Sequence, residues 1–381
     1  MIFHLFGHKD LLGLPHGYTI NAFKKLNYTL LKRDSRYFKE VMLSELTLYQ
    51  RRFRFYLLGL VFLCLVSLFL SFALGRFKVA PWLLVKSLFT AEDPLLSTIA
   101  RLRLIRTLLA ASVGGVLALA GAVFQALLRN PLAEPYTLGV STGAAFGAAL
   151  ALFLGLASQG ILPLFSLLGA MLTLILVIYL ARTEEGAFRP ATLILAGLVV
   201  SSFLSAGISL LKSLSDESLS SIVFWLLGSF SGRGSTHLLL FWPYALPLLI
   251  LAFRWQEDLD LLALGDEEAQ EVGVEVQRVR RALIVTACLA SAACVAVSGV
   301  IGFVGLIVPH LLRLLVGARH RYLLPLCLVF GAGLLVLADV LARLALPTGE
   351  ELPIGVVTAL LGAPFFAWLL SLKKKELEWL P

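Results

Sequence analysis

Runs of roughly 18 or more mainly apolar residues recur along this chain, parted by short polar turns. Ten stand out, near residues 54–75, 104–128, 138–157, 161–181, 191–212, 237–255, 279–298, 302–316, 322–341 and 354–372. At 1.5 Å per residue, a run of about 20 covers a bilayer core of roughly 30 Å. Helix is the state such runs demand, because lipid offers no partners to backbone amides and no ten-residue alternation of a membrane barrel is present. The pattern predicts an all-α integral membrane protein with about ten transmembrane helices. The eighth run is short and contains Pro309, which predicts a broken or tilted helix.

The polar interruptions are as informative as the runs. Between the second and third lies Leu119 to Gly143, LAGAVFQALLRNPLAEPYTLGVSTG, with a polar knot at Arg129-Asn130-Pro131. Pro131 and Pro135 cannot share one continuous helix, so this stretch predicts a tight re-entrant connection. Residues 298–317, SGVIGFVGLIVPHLLRLLVG, echo it at an offset of 178: Ala118, Gly121, Leu128, Pro131 and Gly139 match Ala296, Gly299, Leu306, Pro309 and Gly317. The first copy precedes a loop on one side, and the second begins at the other side. That predicts an inverted internal repeat. Small residues crowd the second and fifth spans and predict close helix packing. Pro81-Trp82 suggests a short interfacial helix, and 219–235 a re-entrant or surface helix.

Composition agrees with the pattern: of 381 residues, 59% are hydrophobic and 15% charged, far from a soluble domain. The net charge of +8 is not a nucleic-acid signature, because Lys and Arg flank the spans and set their orientation. With both termini cytoplasmic, 23 of the 32 basic residues lie inside. Residues 1–52 then form a cytoplasmic extension, with 36–50 either an amphipathic helix on the leaflet or a plain tail. Residues 53–372 form the membrane domain and 373–381 a cytoplasmic tail. The nine outside cations include a group of six that breaks the trend: Arg76, Lys78, Lys86, Arg101, Arg103 and Arg106. They read either as snorkelling to lipid or as a basic collar for an acidic partner. Asp339 and Arg343 share a helical face in the ninth span, as an internal ion pair or as a functional charge.

The most charged internal stretch, 254–281, is broken by Gly265 and Gly273 into short pieces, which predicts two small helices, one around Asp266–Val272 and one beyond Gly273. Leu261, Leu262, Leu264, Ala269, Val272 and Val274 give it an apolar face, which predicts a docking platform for another subunit. The sequence has no phosphate-binding P-loop, nucleophile elbow or metal-ligand spacing, so no catalytic residue, metal or cofactor is expected. The four cysteines all lie in apolar spans and read as small hydrophobes, and His310 as a helix-end residue. Energy must come from an ion gradient or another subunit. A membrane interior almost without carboxylates beyond Asp339 favours the subunit over an ion-coupled secondary carrier.

The motifs RLRLIRTLLAASVGGVLALAGAVFQALLRNPLAEPYTLGVSTGAAFG, LALGDEEAQEVGV, SGVIGFVGLIVPHLLRLLVG, HRYLLPL, ADVLARLAL and ELPIGVVTALLGAPFFAWLL run in order through residues 55–372. Together they resemble the FecCD-type permease family, the transmembrane subunits of type II ABC importers for iron-siderophores, vitamin B12 and haem. The resemblance implies a homodimer in a bacterial cytoplasmic (inner) membrane, with two ATP-binding cassette subunits inside and an extracytoplasmic substrate-binding protein outside. ATP hydrolysis would belong to the separate subunit. It also implies binding-protein docking at Arg103, Arg106 and Arg343, a cytoplasmic gate at Asn130 and Leu132, and ATPase coupling through 262–278, anchored at Gly265, Glu268 and Gly273. A second gate precedes span five in the family; here the chain reads Arg189-Pro190-Ala191-Thr192 and lacks the family's small hydroxyl run. An iron-siderophore is the expected cargo, with cobalamin or haem as alternatives.

Overall fold

A computed structural model describes residues 35–377, apart from 91–92, 157, 159, 183–187, 216–218 and 347–349. The expected extension over 1–34, the side chains of 35–49 and the end of the tail lie outside the described residues. Among them are fourteen helices and no sheet. They are α1 Ser35–Ala73, α2 Pro81–Phe89, α3 Pro94–Leu127, α4 Val140–Phe153, α5 Ile161–Ala181, α6 Pro190–Ser213 and α7 Leu219–Leu226. The rest are α8 Ser235–Arg254, α9 Gln256–Leu264, α10 Asp266–Glu271, α11 Val276–Ser298, α12 Val304–Val316, α13 His320–Leu344 and α14 Ile354–Leu377. Seven are long and apolar enough to cross a membrane: α1 from Gln50, α3, α5, α6, α8, α11 and α13. The short apolar helices α4 and α12 and the apolar first part of α14, Ile354–Trp368, occupy the expected third, eighth and tenth spans.

Helix α3 is the axis of the bundle. Every residue from Val113 to Leu128 is buried, as expected of a helix that is apolar all round. Its small residues permit this, because backbones meet directly where no side chain intervenes. A Cβ added to Gly114 would overlap the carbonyl of Gly331 on α13, and one added to Gly121 would overlap that of Gly305 on α12. Helix α6 departs from expectation. Its Ala196 and Gly197 are buried, but Ser202, Ser205, Ala206 and Ser209 face outward, so packing within this chain does not account for them. Cys288, Cys294 and Cys327 are buried and Cys64 partly so, all as free thiols among apolar neighbours.

The short helices have a common cause. After α3 the chain turns at the knot and runs without helix through 130–139 before α4 begins. Gly139 rests against Gly197 and Ser201 of α6, and Gly197 lies seven residues past the start of that helix, about 10 Å along its axis. Helix α4 thus starts inside the helix layer and spans only its remaining depth, with 14 residues, about 21 Å. From the opposite end, α11 stops at Ser298 and the chain descends through 299–303. Phe303 there packs on Gly362, eight residues into α14. The two broken segments meet: the Ile301 N–H donates to the Tyr136 hydroxyl at 3.0 Å, and that hydroxyl donates to the Ile301 carbonyl.

The helices leading into the breaks run in opposite directions, as an inverted arrangement requires. Residue-by-residue correspondence at the 178 offset does not extend to the backbone, since Pro131 lies in the knot but Pro309 lies inside α12. What repeats is the device, a helix, an extended descent and a short helix beginning at mid-depth.

The crossing at Gly121 gives a direct test. Gly121→Leu should abolish the folded, monodisperse protein in detergent or lower its stability by about 3 kcal/mol, the upper range of overpacking. Gly59, with no atom within 4 Å of an added Cβ, provides the control: Gly59→Leu should leave the thermal unfolding midpoint unchanged.

Candidate functional site

Charged side chains gather at the two ends of the bundle. At the end away from the knot, Arg106 of α3 grips two carboxylates, Asp339 at 2.8 Å and Glu351 at 2.9 Å. Asp339 is fully buried and also pairs with Arg343 at 3.1 Å, so the expected i,i+4 pair exists inside a larger cluster. Two cations and two anions balance there. That balance is what allows charges to remain in a largely buried site.

The three arginines expected to form a docking collar point inward. Arg103 is 8% exposed and donates to the carbonyls of Phe72, Ala73 and Phe77. Arg343, also 8% exposed, donates to the Ser71 and Leu74 carbonyls and the Ser71 hydroxyl. Apart from that of Phe77, in the loop beyond, these carbonyls lie at the end of α1, where the last turn has no partners of its own and the helix dipole is negative. Two guanidiniums therefore cap one helix. On α3, Arg103 shares a stripe with Thr107, Ala110 and Gly114, all buried, which turns it inward. Among the described residues of this group, Arg76, Lys78, Lys86 and Arg101 are the exposed cations.

At the knot, α3 ends in a Schellman motif: Arg129 N–H bonds the Ala126 carbonyl and Asn130 N–H the Gln125 carbonyl, both at 3.2 Å. The motif needs a left-handed residue, usually glycine, yet Arg129 holds it at φ 47°. Among the described residues, only Arg129 and Phe303 adopt positive φ without being glycine, and they stand at the two breaks. Such strain, on the order of 1 kcal/mol each, concentrates at functional sites. Asn130 Oδ1 accepts the Leu132 N–H at 2.9 Å and fixes the next turn. Leu132 is 52% exposed at the tip, while Ala133 is fully buried.

The platform packs directly beneath the knot. Arg129 donates to the Leu262 carbonyl at 3.2 Å and to the Asp266 carboxylate. Asp260 of α9 accepts both the His320 backbone N–H, at 2.9 Å, and the His320 ring at 2.6 Å. The apolar face expected to await a partner is divided. Leu262 and Ala269 are buried within this chain, joined by Leu259, whereas Leu264 and Val272 remain exposed among Glu267, Glu268 and Glu271. Gly265 precedes α10, and the Glu268 side chain folds back over it. Gly273, at φ 95°, closes α10: its N–H bonds Gln270 at 2.9 Å while Val274 N–H bonds Ala269 at 3.0 Å. A cleft of about 820 Å³ opens beside it, lined by Gln270, Glu275, Arg278 and Arg281.

The residues that join these parts, Asp266, Arg280, Tyr136 and Glu351, escape a reading of the sequence by spacing. One signal was available. Arg280 falls on the α11 stripe of Leu283, Ile284 and Ala287, and a charge on a buried stripe needs a partner. The cluster at the far end makes a ranked prediction. Asp339→Asn strands two buried arginines and should cost about 3–5 kcal/mol, whereas Glu351→Gln at the rim should cost about 1 kcal/mol or less. Thermal unfolding in detergent measures both, and equal losses would contradict the assignment.

Comparison with known proteins agrees with this geometry. The chain is 42% identical over 341 residues to the ABC transporter permease protein YvrB of Bacillus subtilis, covering 86% of this chain and 96% of the relative. It is 41% identical over 340 residues to the vitamin B12 import system permease protein BtuC of Klebsiella pneumoniae, covering 87% and 98%. A solved structure described as the inward-facing conformation of a metal-chelate type ABC transporter superposes with a TM-score of 0.73 at 38% identity, covering 83% of this chain and 98% of that one. Residues 63–372 match the FecCD transport family, and the chain belongs to that family.

Proposed function

We propose that this chain is the membrane permease of a binding-protein-dependent ABC importer that moves an iron-siderophore type chelate inward by ATP-driven alternating access. Two copies form the pathway in a bacterial inner membrane, with the knot end cytoplasmic. The observation that carries this reading is the contact between platform and knot: Arg129 reaches both the carbonyl of Leu262 and the carboxylate of Asp266. A motor docked on the exposed acidic face of α10, with Leu264 and Val272 as its apolar anchors, would act within one side chain of Asn130 and Leu132. Gly265, Glu268 and Gly273 shape that docking face. The outward small-residue face of α6 suits a second copy, since small residues let helices approach closely.

At the far end, Arg103, Arg106 and Arg343 brace the mouth from inside, and Arg76, Lys78 and Arg101 present positive charge to an acidic binding protein. The choice of cargo is supported by relatives named for hemin and ferric citrate, while others are named for vitamin B12 and molybdate. Cobalamin, at 41% identity, is the second reading. An ion-coupled carrier is disfavoured because Asp339 is already neutralised by Arg106 and Arg343.

Reconstitution with the cognate ATPase and binding protein, offering radioiron-loaded siderophore, cobalamin or haem, tests the assignment. ATP-dependent uptake of the iron chelate is expected, and uptake without ATP would refute it. Gly273→Val forces a branched side chain into positive φ and should cut uptake about tenfold or more with expression retained. Reversing Arg76, Lys78 and Arg101 to Glu should weaken binding-protein affinity most at low salt. Unchanged affinity there would remove the docking role from these cations.

A further inference from the structure

Asp266, the first residue of α10, is shared by two cations from different parts of the chain. Its carboxylate accepts from Arg280 at 2.5 and 2.7 Å and from Arg129 of the knot. Arg280 is fully buried and also donates to the Phe188 carbonyl at 3.3 Å, two residues before α6 begins. The Phe188 N–H is held by Gln277 at 3.2 Å, and its ring lies under the Arg281 guanidinium at 5.3 Å. One carboxylate thus connects the platform, the knot and the segment leading into α6.

The geometry points to Asp266 as the positioning residue that holds the knot and the entry to α6 in a single setting, released together when the platform moves. This rests on the reading of the chain as a permease driven by a separate ATPase. Asp266 and Arg129 side chains are 33% and 36% exposed, so water can replace their contact; Arg280, fully buried, has no such exchange. Withdrawing the carboxylate leaves two guanidiniums facing each other, and their repulsion drives the knot from α11. Burial first, and then the charge of Arg280, already push the Arg129 guanidinium below its ordinary range, against the pull of Glu268. A mere brace would not need arginine at φ 47°, where glycine sits without strain.

The two arms of the joint separate experimentally. Ala133, beside the knot, and Leu193, on the first turn of α6, are both fully buried, so each can carry a reporter thiol in the purified chain in detergent. With Asp266→Asn, maleimide labelling of both Ala133→Cys and Leu193→Cys should rise about tenfold, as expected when a part-exposed ion pair no longer opposes local opening. With Arg129→Gly, which relaxes the backbone and leaves the Asp266–Arg280 pair intact, only the thiol at 133 should open. Asp266→Glu should restore slow labelling at both. A thiol from Ala120→Cys, fully buried in the last third of α3, must stay silent and so reports global unfolding. If Asp266→Asn proves unfolded, Arg129→Gly decides alone. Unchanged labelling at 133, or equal opening at 193 in Arg129→Gly, overturns the inference.

In the reconstituted transporter, Asp266→Asn should raise the ATP hydrolysed per substrate moved about fivefold, an uncoupling that simple destabilisation does not produce. A wild-type complex that shows no ATP-driven uptake would instead refute the permease reading, leaving the labelling result intact.

Discussion

Hydrocarbon supplies no hydrogen bonds, so a chain that breaks its helices within a membrane must satisfy the freed backbone from its own residues. That constraint organises this protein. Two helices are broken, at 130–139 and at 299–303, and each break borrows from the other. The Tyr136 hydroxyl takes up both the N–H and the carbonyl of Ile301, so one side chain closes two backbone groups. Gly305, by omitting a side chain, lets α12 approach α3 and brings Pro135 alongside. Neither break is tenable without its counterpart, and the axial position of α3 follows from serving both.

The charges at the two ends do different physical work. Away from the knot, Arg103 and Arg343 saturate the carbonyls of the last turn of α1, while Asp339 and Glu351 balance Arg106. A buried pair of this kind adds little net stability but strongly penalises any arrangement that separates its members. It fixes α1, α3 and α13 relative to each other. At the knot the pairs are half-exposed and one arginine is held in a conformation it disfavours. A rigid end and a loosely latched end suit a machine that receives cargo at one face and opens at the other.

Belonging to the FecCD transport family places these parts in a known kind of assembly, and the geometry supplies reasons for the family's layout. The platform has two faces. Leu259, Leu262 and Ala269 seal against the bundle, and Leu264 and Val272 remain outside among acids. An element anchored inwardly by ion pairs and open outwardly can carry displacement from a partner to the knot without unfolding.

The sequence by itself determined the ten apolar segments, the knot, the small helix between Gly265 and Gly273 and the ion pair of Asp339 with Arg343, but not the platform's first helix, Gln256–Leu264. Each follows from a local rule, whether span length, the exclusion of proline from helix interiors, glycine punctuation or i,i+4 spacing. Three things were decided only by tertiary structure. The third span is short because 130–139 takes over part of the crossing, and residue counts cannot show where a helix begins in depth. Arg103 and Arg343 turn inward because the open end of α1 lies beside them, and Arg106 because Asp339 and Glu351 do, neighbours that sequence distance conceals. Asp266 gathers Arg129 and Arg280 from 137 residues before it and 14 after it; in the linear chain Arg129 and Asp266 pass for ordinary loop charges, and the stripe position of Arg280 signals a partner without saying which. Local sequence prescribes what a segment is; which charge faces which is settled only when the helices pack, because buried charges must find partners wherever the fold supplies them.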